Sequence, residues 1–232
     1  SEHTNWREEQ MAWANGAVLF DQSYHMTDVY IDGPDTMRLL ADISINRWDN
    51  FGPLQAKQIV TVSSEGYLVA DAICFCLQDG KVALVGKPTS GNYANYIADS
   101  GDYDVVVTRS GRALDRGERD SFRFQIQGPT AYEIMEKAIG GPIPPMRFFG
   151  MAEFSIAGVP VTALRHGMAD APGVEFFGPY AEKQIVRKAI LNAGTGLGLK
   201  EGGARTYSTA MVQSGWVGAI MHAIWSDDMQ GF

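Results

Sequence analysis

Three stretches of the chain repeat one pattern of apolar and polar positions: an apolar or alternating run, then Gly-Pro, then apolar residues at helical spacing. They are VYIDGPDTMRLLAD (29–42), FQIQGPTAYEIMEKA (124–138) and EFFGPYAEKQIVRKAIL (175–191). Glycine suits the turn or the N-cap, and proline loses no needed N–H at the first helical position, so each stretch predicts a strand-turn-helix unit. Between the first two lie KQIVTVSS (57–64), GYLVADAICFCL (66–77), KVALVG (81–86) and YDVVVTRSG (103–111), which read as strands punctuated by Gly, Asp and Ser. QDGK (78–81) predicts a tight hairpin turn, and AEFSIAGVPVTALRHG (152–167) a second hairpin around Ala157 and Gly158. Strands outnumber helices and do not alternate strictly with them, which favours an α+β fold with mixed or antiparallel sheets and flanking helices over a doubly wound one. SGRALDRGERDS (110–121) is polar and glycine-containing and predicts an exposed connection or subdomain junction.

Against this pattern, a few polar residues stand in apolar company. Asp71 interrupts YLVADAICF, Gln125 and Gln127 interrupt FRFQIQGP, and Glu175 interrupts GVEFFGP. Each can be a strand residue facing solvent. Taken together they suggest a buried polar site, because a buried carboxylate must find hydrogen bonds or stay protonated. Several convergent acceptors and amides suit a flat heterocycle with ring N–H and amino groups, such as a pterin.

Composition narrows the partners. A chain of 232 residues with 45% hydrophobic content can bury one large core or two packed ones, and its net charge of -8 offers no basic field to nucleic acid or anionic lipid. A small molecule is the expected partner. No apolar run approaches the roughly 20 residues of a membrane span and no basic-then-apolar leader opens the chain, so it reads as soluble and cytoplasmic. It begins at Ser1 and stops at SDDMQGF, which suggests a piece of something longer. Cys74 and Cys76 read as packing thiols, and the four histidines lack metal-ligand spacing, so no metal is expected. GTGLGLKEGG (194–203) follows a helix instead of a strand, which makes Gly194 a helix C-cap and not part of a dinucleotide loop. VGKPTSG lacks the order of a phosphate loop, and no Gly-x-Ser-x-Gly elbow is present.

The same segments carry a family likeness. AVLFDQSYHMTDVYIDGPDTMRLL, EGYLVADAICF, FQIQGPTAYEI and SIAGVPVTALRHGMADAPGVE resemble, in order, the conserved segments of the glycine-cleavage T-protein (aminomethyltransferase) family of tetrahydrofolate enzymes. NWREEQMAWANGAVLFDQSYHM, FRFQIQGP, LRHGMADAPGVE and SGW (214–216) are more similar to its aryl O-demethylase branch, which demethylates methoxylated aromatics of the vanillate and syringate type. The chain departs from the family at Met168, Ala169, Asp170 and Ala171, where aminomethyltransferases have Tyr-Thr-Gly-Glu. It departs again at Lys87, where the O-demethylases have Arg. A lysine keeps the charge but not the bidentate fork for a carboxylate.

The resemblance implies a T-protein-like folate-binding fold without its C-terminal barrel domain. A discontinuous folate-binding subdomain would span 1–50 and 121–232, with a β-rich subdomain, 51–120, inserted. It implies transfer of a methyl group from a methoxylated aromatic acid to N5 of tetrahydrofolate. Glu175, Gln125 and Trp216 would contact the folate, Gln22 and Lys87 the aromatic acid. Tyr207 would serve the phenolate leaving group with His25 as second donor or relay, and Asp71 would steady the reactive amine. The alternatives are an aminomethyltransferase or another folate-linked N- or S-demethylase, and, from another class, a non-catalytic folate-binding protein.

Overall fold

The computed structural model describes residues 3–111 and 117–215. In chain order its elements are α1 (Trp6–Asn15), β1 (Ala17–Asp21), β2 (Thr27–Asp32), α2 (Thr36–Ile43), β3 (Gln55–Val62), β4 (Leu68–Gln78), β5 (Lys81–Gly86), α3 (Pro88–Ser100) and β6 (Val106–Ser110). Then follow β7 (Ser121–Gln127), α4 (Ala131–Ile139), β8 (Met151–Ile156), β9 (Val159–Arg165), β10 (Gly173–Pro179), a 3-10 turn (Tyr180–Glu182), α5 (Lys183–Ala193), β11 (Leu199–Gly202) and α6 (Ala204–Gln213). Both sheets and helices are present without strict alternation, an α+β fold.

Two compact units divide the described residues: 3–23 with 118–215, and 24–111 with 117. The boundary expected at residue 50 falls inside the second unit. The reason is pairing: β2 lies between β5 and β6 and forms antiparallel ladders with both, which draws β2 and α2 into that sheet.

The first unit is built on a six-stranded sheet of order β11-β1-β7-β10-β9-β8, parallel only between β1 and β11. On one face, Leu19, Phe122, Phe124, Ile126, Val174 and Phe176 pack against Ile134 and Met135 of α4 and Val186 and Ile190 of α5. Full burial of each such side chain stabilises the fold by ~1.5–3 kcal/mol. Over the other face, α1 and α6 cover Val18 and Phe20 through Ala12, Trp13 and Ala210.

The second unit is a five-stranded antiparallel sheet, β3-β4-β5-β2-β6. Its core joins Val29, Ile31, Ile59, Cys74 and Leu84 to Leu39, Leu40 and Ile43 of α2 and Ala94 of α3. Both cysteines are buried free thiols, and burial pushes both up from the usual thiol range, which keeps them unreactive.

All three strand-turn-helix units form, with one difference in detail. Pro34 and Pro129 stand two residues ahead of the first helical residue. Thr36 N–H donates to Gly33 O (3.2 Å) and Ala131 N–H to Gly128 O (3.0 Å), closing turns with proline at the second position. Asp35 (φ -93, ψ 8) and Thr130 (φ -95, ψ 4) have the third-position geometry of type I turns. Gly128 needs its lack of a side chain twice over: its φ is +135 and a Cβ would come within 2.3 Å of Gly16 O. The hairpins close as expected, with Gln78 opposite Lys81 and Ile156 opposite Val159. Gly194 caps α5. Helices α1, α3 and α6 were not anticipated from the pattern. Among the described residues no helix is long and apolar enough to cross a membrane.

Candidate ligand-binding site

Strand β7 alternates strictly. Phe122, Phe124 and Ile126 enter the core of the first unit, so Arg123, Gln125 and Gln127 share the opposite face, and yet all three are buried. Antiparallel pairing places Glu175 of β10 directly opposite Gln125, Phe177 opposite Arg123, and Gly173 opposite Gln127. The result is a buried polar row on a sheet whose other face is mainly apolar, with Asp21 and Glu201 ion-paired to Lys183 and Arg187 of α5 near one edge.

Each member of the row has defined partners. Arg123 Nη1 donates to Glu175 Oε1 at 2.7 Å, with side chains 5% and 6% exposed, and the guanidinium lies 4.8 Å from the centroid of the Phe177 ring. Gln22, just after β1, is anchored by its backbone N–H to Arg123 O (2.9 Å), and its Nε2 donates to Gln125 Oε1. Gln125 Nε2 in turn lies 3.2 Å from His166 Nδ1. Gln127 Nε2 donates to His166 O at 3.0 Å and lies 3.5 Å from the same Nδ1. The Gln127 carboxamide occupies the space that a Cβ on Gly173 would fill, within 2.1 Å of its Oε1. Two carboxamide oxygens, Gln22 Oε1 and Gln127 Oε1, are buried with no partner among the described residues. An unmet buried acceptor costs about 1–3 kcal/mol, and a ligand N–H removes that cost.

Tyr207, which the resemblance assigns to the leaving group, lies on α6. Its ring meets Phe20 edge-on at 5.4 Å, and Phe20 meets Trp13 at 5.3 Å. Burial, aided by the negative charge of Glu175 and opposed by a hydrogen bond from Gln22, pushes its hydroxyl up to about 12. Tyr207 is therefore neutral throughout the physiological range. Helix α6 is fixed by Glu9 of α1, fully buried, whose Oε2 accepts from Gly203 N–H (2.8 Å) and Thr206 Oγ1 (2.7 Å) while Oε1 accepts from His3 N–H (2.9 Å) and Thr4 N–H (3.0 Å). Burial works against its charge, but the four hydrogen bonds together outweigh it and hold the carboxyl at about 2.

Of the residues expected from sequence, Glu175, Gln125, Gln22 and Tyr207 thus belong to one polar face of the first unit. Trp216 lies outside the described residues. His25, Asp71 and Lys87 belong to the second unit, where register gathers them at one end of the sheet. Gly86 pairs with Thr27 on one side and Ala72 on the other; Lys87 follows Gly86, Asp71 precedes Ala72, and His25 lies two residues before Thr27. Asp71 accepts from Gln58 Nε2 at 2.9 Å. Lys87 is exposed and stands at the N-cap of α3 instead of a hairpin edge.

Arg123 and His166 were not singled out from sequence. A signal existed for Arg123, since period two from Gln125 and Gln127 reaches it; none existed for His166, which follows the end of β9. A cavity of about 200 Å³ between α1, α6 and the 169–172 turn is lined by Gln10, Trp13, Pro129, Asp170, Pro172 and Gln213 and includes none of the row. Among the described residues no cluster of three or more His, Cys, Asp or Glu could hold a metal ion.

The chain is 45% identical to the syringate O-demethylase of a Sphingobium species over 94% of its own length and 47% of that protein. It is 29% identical to the sesamin methylene transferase of a Sinomonas species over 85% of its length and 42% of that protein. The chain spans about half the length of these relatives. The crystal structure of the glycine cleavage system aminomethyltransferase T from Bartonella henselae has the same fold, with a TM-score of 0.75 at 16% identity, covering 92% of this chain and 55% of that one. A model of the GCVT N-terminal domain matches residues 1–229. By this match the chain belongs to the GCVT N-terminal domain family, the aminomethyltransferase family that its motifs resemble.

Proposed function

We propose that the protein of which this chain is the folate-binding part is a tetrahydrofolate-dependent O-demethylase that moves a methyl group from a methoxylated aromatic acid to N5 of tetrahydrofolate. The observation that carries this reading is the buried row of Glu175, Gln125, Gln22 and Gln127, with two carboxamide oxygens left without donors. Ring N–H and amino groups of a reduced pteridine fit such acceptors. The identity to syringate O-demethylase supports the choice of donor class.

Tetrahydrofolate, when bound, supplies N5 as the methyl acceptor. Glu175 has one oxygen committed to Arg123, so its Oε2 is the atom offered to the ligand. Holding acceptor, methyl carbon and ether oxygen in line is worth up to ~7–11 kcal/mol. As the methyl C–O bond breaks, its electron pair stays on the phenolate oxygen, which Tyr207 would meet with its hydroxyl proton. With that hydroxyl at about 12 against an ordinary phenol near 10, complete proton transfer is uphill by ~3 kcal/mol. Tyr207 therefore stabilises the leaving anion by a charge-assisted hydrogen bond without surrendering the proton.

The test is incubation of the intact protein with tetrahydrofolate and, separately, vanillate, syringate, dimethylglycine and dimethylsulfoniopropionate. Formation of 5-methyltetrahydrofolate with an aromatic donor is the expected result. Turnover only with the N- or S-methyl donors, or tight folate binding without any turnover, refutes the reading.

A further inference from the structure

We propose that His166 sets the hydrogen-bond polarity of the buried row, turning Gln125 and Gln127 so that Gln22 and Gln127 present carboxamide oxygens to the N–H groups of a bound pteridine. The identity of the ligand rests on the proposed function; the polarity of the row does not.

The argument is one of donors and acceptors. A carboxamide nitrogen only donates, and an imidazole Nδ1 accepts only when it carries no proton. Two carboxamide nitrogens converge on His166 Nδ1, Gln125 Nε2 at 3.2 Å and Gln127 Nε2 at 3.5 Å. The ring proton must then sit on Nε2. With its nitrogen spent on His166, Gln127 is left with a buried oxygen that has no partner. Gln125, oriented the same way, turns its oxygen to Gln22 Nε2, and so Gln22 Oε1 is the second unmet acceptor. His166 thus fixes which atom three glutamines show to a ligand, Gln127 chiefly through its backbone carbonyl, and Gln125 with Gln22 behind it through the unprotonated Nδ1.

The surroundings keep that nitrogen bare. The ring is tilted against Phe149 with centroids 5.8 Å apart. Burial lowers the imidazole from its ordinary value of 6.5, and the charge of Glu175 on β10 opposes this without overcoming it. Arg123 of β7 neutralises much of that charge through its ion pair, while Arg165 and Asp170, on the same stretch of chain, are exposed. Protonation would set an Nδ1–H against two amide N–H₂ groups. Gln125 would then have to turn over, setting its nitrogen against Gln22 and drawing the Gln22 oxygen away from the ligand, while the His166 carbonyl keeps Gln127 in place.

Long-range ¹H–¹⁵N spectra of the ligand-free protein read the tautomer directly. The expected form at pH 7 is neutral with the proton on Nε2; an Nδ1–H tautomer or an imidazolium overturns the proposal. Tetrahydrofolate titration then tests the consequence. His166→Phe, which removes the acceptor, should weaken binding about tenfold. His166→Asn, whose Oδ1 replaces the Nδ1 acceptor, should stay within about threefold of the parent. Affinity of the parent should fall in acid with a midpoint below the ordinary imidazole value of 6.5, and that of His166→Asn should not. Equal weakening by both substitutions, or none by either, refutes a positioning role even if the spectra agree. If the parent binds no tetrahydrofolate, the proposed function fails and the spectra alone decide the tautomer. If His166→Phe does not fold, the spectra and the pH profile of His166→Asn still decide the matter.

Discussion

Arg123 and Glu175 give the most demanding test of the polar row. Across 2.7 Å at an effective dielectric near 20 their attraction is about 6 kcal/mol, and the cost of desolvating both groups offsets most of it. Removing one partner strands the other charge in a site about 5% exposed, so Arg123→Met should destabilise the fold by ~3–5 kcal/mol. Replacing both, Arg123→Met with Glu175→Leu, strands nothing and should restore stability to within ~1 kcal/mol of the parent. Urea unfolding at pH 7, followed by far-ultraviolet circular dichroism and extrapolated linearly, measures all three proteins. The double variant should have recovered stability but no affinity for tetrahydrofolate, since the acceptor carboxylate is gone. The reasoning fails if Arg123→Met costs less than ~1 kcal/mol, or if the double variant loses as much as the two single ones added.

Three other outcomes follow from the same geometry. Glu9 gains its depressed value of about 2 on folding, so its contribution, ~3 kcal/mol, is fully present above 4.5 and should vanish as the pH falls from there towards 2. Glu9→Gln should lose most of that at pH 7 and flatten the acid limb of an unfolding series. Tyr207 ionises in the unfolded chain near 10 but in the folded one near 12, so stability should drop as pH rises across that interval, and Tyr207→Phe should abolish that component while lowering kcat about 10²-fold or more. Gly173→Ala places a methyl where the Gln127 carboxamide lies, and crystallography of the variant should find that side chain displaced, with tetrahydrofolate affinity reduced.

What the sequence discloses depends on whether local pattern or tertiary contact decides an element. The Gly-Pro turns were legible because their geometry is local. The polar row was legible too, as the alternation of FRFQIQ around Gln125 and the isolated Glu175. Helix α3 was not: Pro88 suits its first position, but Gly91 and Asn92 are poor helix formers, and Gly91 is there because a Cβ would come within 2.4 Å of Val29 Cγ2. Tertiary packing overrode propensity. Helix α6, ARTYSTAMVQ, is likewise rich in weak formers and is held at its start by Glu9, a residue almost two hundred positions away. The domain boundary was misread for a related reason, since β2 joins β5 and β6 by pairings that no local signal reveals.

The turn beside the site shows where local rule and fold part company. Met168 and Ala171 exchange backbone hydrogen bonds at 3.3 and 3.1 Å around Ala169 (φ 51) and Asp170 (φ 59), a two-residue connection with both central residues left-handed. Such turns favour Asn-Gly, and non-glycine residues held there cost on the order of 1–2 kcal/mol each. The strain sits three and four residues beyond His166, and Ala169 and Ala171 pack on the cluster that holds Tyr207. If it merely tolerates an unsuitable sequence, Ala169→Asn with Asp170→Gly should raise stability by ~1–2 kcal/mol and leave tetrahydrofolate affinity untouched. If instead the strained form presses this segment against the site, the same pair should raise stability and weaken binding. Thermal unfolding and ligand titration on that one variant separate the two, and a loss of stability would refute both, because the turn would then not be the two-residue left-handed kind.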